Sequence, residues 1–187
     1  MSRRGPGAWL RAAIVTAIAF VPALSSVALR AQQRDERAVR AAYVFNLMKY
    51  VEWPAARGEL RIAFLGNPAD GALFESMLNG KSIESRSVRV MLRPEDEELE
   101  ECSVVYFEDE KANELRKTLQ RLKGRSILTI GETEGFELEG GMVGLVKQDD
   151  HIQLRVNLEA TQHAGVKISS RVLNLAVIVR PAQNAGN

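Results

Sequence analysis

Apolar positions recur with a helical period through residues 37–54, RAVRAAYVFNLMKYVEWP. At about 3.6 residues per turn, Val39, Tyr43, Leu47 and Tyr50 fall near one line, and Ala38, Ala41, Phe45 and Met48 widen the apolar arc beside them. The spacing predicts one amphipathic helix that the rest of the chain must cover. Arg34, Asp35, Glu36 and Arg37 supply a solvated first turn, and Pro54 disfavours helical geometry at Trp53, which sets the end near residue 51 or 52. Asn46 and Lys49 are polar among apolar neighbours. They read either as a loop-bonding cap and a side chain reaching the edge, or as contacts to a partner or ligand.

Beyond this helix the period switches. Residues 60–66 form a short apolar strand that ends in the turn Gly66-Asn67-Pro68, and residues 69–78 return to helical spacing through Ala72, Leu73, Met77 and Leu78. Val88, Val90 and Leu92 alternate within a second strand, 87–92. The acidic run 95–101 then reads as the solvated first turn of a short helix, because carboxylates favour a helix N-terminus and the run lacks the spacing and glycine of a calcium loop. Residues 102–107 make a near-continuous apolar strand, residues 111–123 an amphipathic helix with Leu115, Leu119 and Leu122 inward and Gly124 as its stop, and residues 126–130 a further strand. Three strand–helix cycles predict an α/β fold, a mostly parallel sheet flanked by helices. Residues 142–147 and 152–158 break the cycle as an antiparallel hairpin near the C-terminus, placed at the sheet edge. A short helix over 157–164 is closed by Gly165, and Ser169 or Ser170 is set to cap a last helix running through Val179 with Val172, Leu175, Ala176 and Val179 inward. A strand is the alternative for the run VLNLAVIV.

Composition changes the picture mainly at the N-terminus. Arg3, Arg4 and Arg11 precede an apolar run over 12–24, with small residues Ser25, Ser26 and Ala28 behind it, the order of a secretory signal peptide. The run is shorter than the roughly 20 residues that cross a bilayer. Cleavage is expected after Ala28, giving a signal peptide over 1–28, with Ala31 as the second choice. A single domain over 32–181 and a disordered tail over 182–187 follow. Arg3, Arg4, Arg11 and Arg30 are the only charges through Ala31, so removing them from the 25 basic residues leaves 21 against 24 acidic, a net charge of −3. That balance, without a basic stripe interleaved with aromatic residues, argues against nucleic acid. The mature length of about 156 residues suits one domain. The single cysteine, Cys102, rules out an intrachain disulfide and reads as a small buried hydrophobe.

Catalytic patterns fail in turn. Gly71 is followed by Ala72 and Leu73 where a phosphate loop needs lysine and a hydroxyl, and Asp70 would repel the anion. His151 and His163 lack partners at metal-ligand spacing, and no nucleophile elbow is present. The expectation is a non-enzyme without a cofactor or metal.

Three segments carry a resemblance: AAYVFNLMKYVEWP, LTIGE with the glycine-rich GGMVGLV, and RVNLEATQHAGVKISSRVLNLA. In this order, over nearly the whole mature chain, they resemble the YfiR family of exported regulators. The resemblance implies a periplasmic protein that binds and inhibits the sensor region of an inner-membrane diguanylate cyclase, lowering cyclic di-GMP and restraining biofilm formation, with homodimers possible and no membrane insertion after signal cleavage. The alternative is a periplasmic small-molecule sensor. Some family members carry paired cysteines; Cys102 alone leaves no such switch here. The family's motif falls on Asn46, Lys49, Trp53 and Pro54, on Gly131, Glu132, Gly140 and Gly141, and on Asn157, Lys167, Ser169 and Ser170. The three glycines are expected to serve turns at positive φ. Trp53 is either a core lid or an interface anchor. Asn157, Lys167, Ser169 and Ser170 either cap the last helix or line a small anion or ligand site. Asn46, Lys49, Trp53, Asn157, Lys167, Ser169 and Ser170 are therefore the candidate contact residues.

Overall fold

The computed structural model describes residues 21–53, 58–149 and 151–180. The signal peptide over 1–28 lies partly outside these residues, and Pro54 and the tail over 182–187 lie wholly outside them. Two units are distinguished, one through Val39 and one from Arg40 onward. The second carries the sheet and the final turns of the first helix.

Helix α1 spans Val21–Met48 and is followed by a turn and a two-residue strand β1, Val51–Glu52. The helix thus ends a turn earlier than Pro54 alone implied, because Val51 and Glu52 are drawn into pairing elsewhere. Its buried face also differs from the line expected. Ala41, Val44, Leu47 and Met48 are inside, whereas Tyr43 and Tyr50 are 40% and 41% exposed. The 41–44–48 row and the 43–47–50 row are about one residue apart in phase, and both are apolar enough to satisfy a helical period. Arg40 is the charged member of the buried row.

Strand β2 (Leu60–Leu65) leads through the Asn67 cap and Pro68 into α2 (Pro68–Leu78). The Asn67 side chain accepts from the Ala69 amide at 2.9 Å, and proline at the first helical position has no amide to leave unpaired. A short hairpin, β3 (Ser82–Ile83) and β4 (Arg86–Leu92), precedes α3 (Asp96–Leu99). There Glu95 and Glu98 form a capping box, and Arg121 and Arg125 meet Asp96 and Glu100, which accounts for the acidic run without a metal. Next come β5 (Val104–Phe107), α4 (Ala112–Leu122) and β6 (Leu128–Gly131), with Gly124 at φ +76° closing the helix as expected.

The hairpin forms from β7 (Val143–Gln148) and β8 (His151–Asn157), with Val143 opposite Val156. It is not at the edge. After α5 (Leu158–His163), β9 (Lys167–Ile168) and α6 (Ser170–Leu173), the chain forms β10, Val177–Val179, which lies parallel to β8 and outside it. The last helix therefore stops at Leu173, and the strand alternative for VLNLAVIV holds for its second half. The sheet order is β3-β4-β2-β5-β6-β7-β8-β10, with β4, β2, β5, β6 and β7 mutually parallel; β1 and β9 pair separately.

Strand alternation divides the core between the two sheet faces. Ile62, Phe64, Val104, Tyr106, Leu128 and Ile130 pack with Ala41, Val44 and Met48 of α1 and Phe74 and Leu78 of α2. Ala63, Leu65, Val105 and Phe107 pack on the other face with Leu115, Leu119 and Leu122 of α4, and with Leu99, Cys102 and Phe136. Cys102 sits just before β5, buried, with its thiol donating to the Glu98 carbonyl, and burial pushes its pKa up to about 11.

Candidate interaction site

The exposed end of α1 is held by a ribbon that brings distant sequence together. Val51 pairs with Ile168 and Glu52 with Lys167, antiparallel, and the Ser169 amide donates to the Tyr50 carbonyl at 2.8 Å. The Ser169 side chain then accepts from the Arg171 amide, capping α6 as its residue type predicts, and Ser170 opens that helix, exposed. Six of the seven sequence-chosen residues, Asn46, Lys49, Trp53, Lys167, Ser169 and Ser170, thus lie along or beside the β1–β9 ribbon.

Five of the six, all but Ser170, have a local side-chain partner. Lys49 Nζ donates to Asn46 Oδ1 at 3.0 Å and stands 4.5 Å over the Phe45 ring, which Lys81 approaches at 4.9 Å. Lys167 meets Glu52 at 3.4 Å in full solvent, a pair of little energetic weight. Trp53 is half-buried against the core and its indole N–H donates to the Met48 carbonyl at 2.9 Å, satisfying one of the acceptors that a helix end leaves open. Tyr43 and Tyr50 add two exposed aromatic side chains. The corner is an array of rings, ammonium groups and short polar side chains suited to contact with another surface.

Asn157 lies elsewhere. It is 2% exposed at the end of β8, where Oδ1 accepts from the Ala160 amide and caps α5, and Nδ2 donates to the Glu137 carbonyl at 2.8 Å. It caps α5 rather than the last helix because both of its bonds are made within reach of β8. It also forms part of the wall of a cleft of about 360 Å³, with Leu119, Lys123, Met142, Glu159 and His163 among the other lining residues.

The glycines divide too. Gly140 has φ +100°, as a turn requires, but Gly131 and Gly141 do not depend on positive φ. A Cβ at either would press into the ring of Phe136, which is fully buried between them. Close packing, not backbone sign, selects glycine at those two positions.

Sequence reasoning missed a polar cluster at the C-terminal ends of the parallel strands, where α/β sheets commonly bind ligands. Asp70 in the first turn of α2, Glu108 after β5 and Glu132 after β6 bring three carboxylates to this edge. Arg40 Nε meets Glu132 at 3.1 Å, Arg40 Nη1 donates to the Leu145 carbonyl at 2.9 Å, and the Tyr106 hydroxyl bonds to Glu132. Burial, then the Glu132 charge, drives the Tyr106 pKa well above its ordinary value. Among the described residues no group of His, Cys, Asp and Glu side chains is arranged to hold a metal ion, and no helix is long and apolar enough to cross a membrane. A charged residue within the apolar row of α1 was the one available signal for this cluster. The YfiR/HmsC-like family model matches residues 37–177, from the final turns of α1 to the start of β10, and the chain belongs to that family.

Proposed function

We propose that the chain is an exported regulator whose work is binding: it holds the periplasmic sensor region of an inner-membrane diguanylate cyclase in its inactive conformation and so lowers cyclic di-GMP. Family membership supports the class of partner. The observation that carries the contact surface is the β1–β9 ribbon, which gathers Asn46, Lys49, Trp53, Lys167, Ser169 and Ser170 beside exposed Tyr43 and Tyr50. Regulation by binding needs only differential affinity. A tenfold shift in the partner's equilibrium takes about 1.4 kcal/mol of preference for one state, within reach of one or two well-placed aromatic contacts.

The purified mature chain should bind the cyclase's periplasmic segment without added ligand, and Tyr50→Ala or Lys49→Glu should weaken binding roughly tenfold or more while leaving the thermal midpoint nearly unchanged. Unaltered affinity in both variants would remove the corner from the interface. In cells, a deletion strain should show raised cyclic di-GMP, restored by an exported copy and not by one lacking residues 1–28.

The cleft walled by Lys123, Glu159 and His163 favours a second reading, a small-molecule sensor. Partner binding that appears only after a ligand is supplied would select it.

A further inference from the structure

The cleft beside Asn157 is bordered by buried polar side chains whose hydrogen-bonding capacity is only partly used. Strand β6 alternates, so Leu128 and Ile130 pack toward α1 while Thr129 turns to the α4 face, where it lines the cleft at 3% exposure. Its Oγ1 accepts from the Met142 amide at 3.0 Å, which leaves the hydroxyl proton without an acceptor among the described residues. Asn157, 2% exposed, repeats the arrangement. Its Oδ1 accepts from the Ala160 amide and one Nδ2 proton goes to the Glu137 carbonyl, so the second Nδ2 proton is left over. Water can satisfy such donors, but Leu119, Leu122 and Met142, which also line the cleft, gain nothing from it. A molecule with an acceptor head and an apolar body suits both.

We propose that this cleft is a binding site for a small apolar carboxylate, with its head accepting from Thr129 and Asn157 and its body lying against Leu119, Leu122 and Met142. The volume of about 360 Å³ falls in the range of small-ligand sites, about 300–1,000 Å³. The head is an acceptor because a cationic head offers only donors and leaves both protons unmet. It is charged because a donor bonds an ionised acceptor roughly twice as strongly as a neutral one. Lys123, His163 and Glu159 also line the cleft, and none of them is in an ion pair among the described residues, whereas Glu139 is tied to Arg116 at 2.7 Å. The Lys123 ammonium is therefore available to the ligand. This inference deepens the small-molecule reading above by naming the ligand's chemistry, and rests on that reading only for the ligand's regulatory use.

The probes are three compounds with one ring and different heads, benzoate, benzamide and benzylamine, titrated into the purified chain near neutral pH and followed by NMR of its amides. Benzoate should bind with a dissociation constant on the order of 1 mM, benzamide roughly threefold or more weakly, and benzylamine should not saturate. The Met142 backbone amide and the Asn157 side-chain amide should shift most, since a ligand that takes the Thr129 proton makes the same hydroxyl a stronger acceptor for Met142. Lys123→Gln, at an exposed position, should weaken benzoate roughly three- to tenfold and leave benzamide unchanged. Benzylamine binding as tightly as benzoate overturns the assignment. So do benzoate shifts that miss Met142 and Asn157 or fail to saturate by about 20 mM, and an unchanged benzoate affinity in Lys123→Gln. The titration uses this chain alone, so its failure is distinct from a failure of partner binding to depend on a ligand.

Discussion

Arg40→Met should be among the most damaging single substitutions on α1, because methionine keeps the aliphatic stem and deletes only the charged fork. The Arg40 and Glu132 side chains are 8% and 17% exposed, so the ion pair is largely shielded, and the second bond runs to the carbonyl of Leu145, a fully buried residue. Breaking a buried pair by removing one partner costs about 3–5 kcal/mol, most of it the uncompensated charge left behind. The remaining exposure of Glu132 and its bond with Tyr106 place this case at the lower end, while the orphaned Leu145 carbonyl adds about 1 kcal/mol or more. A total near 4 kcal/mol, at about 2 kcal/mol per molar urea, moves the unfolding midpoint down by about 2 M. Arg40→Lys keeps the charge but not the two-atom reach, and should lose roughly half as much. Adding Glu132→Gln to Arg40→Met should recover about 1–2 kcal/mol, since the stranded carboxylate is gone. A midpoint shift under about 0.5 M for Arg40→Met, or a double variant worse than the sum of its parts, would refute this account of the cluster.

Gly141→Ala should cost about 1–3 kcal/mol through overpacking against Phe136, and Phe136→Leu in the same chain should give part of it back; additive losses in thermal unfolding would count against the clamp. Asn157→Ala removes a cap bond and strands the Glu137 carbonyl, for about 2–3 kcal/mol by denaturant titration, whereas Asn157→Asp should retain the cap and lose the donor, for an intermediate cost. With its pKa raised to about 11, Cys102 should be alkylated at pH 8 about a hundredfold more slowly in the native chain than in urea, and comparable rates would mean that the thiol is not enclosed.

The interaction corner was legible in part. Asn46, Lys49, Trp53, Lys167, Ser169 and Ser170 stand out in the sequence as polar or aromatic residues in apolar settings, but nothing local says that residues near 50 and near 168 meet. Two-residue strands have no period, and their pairing is known only once both ends of the chain are in place. The carboxylate cluster was illegible for the same reason: Asp70, Glu108 and Glu132 each follow a different strand, and parallel alignment alone makes them neighbours.

The sequence by itself determined the kinds of element and their punctuation. Period-2 spacing and apolar runs located the longer strands through β6 and helical spacing the helices between them, Asn67-Pro68 marked a turn, Ser169 a helix start and Gly124 a stop, since each depends on the conformational preference of one residue or the spacing of a few. Tertiary structure decided what those preferences left degenerate. It chose between two apolar rows on α1 by packing one against the sheet, turned Val177–Val179 into a strand because β8 offered an open row of hydrogen-bonding groups, and selected glycine at 131 and 141 to admit the ring of Phe136. Side-chain spacing reports which residues leave water; the surface that receives them is assembled from positions far apart in the chain, and only the folded arrangement names it.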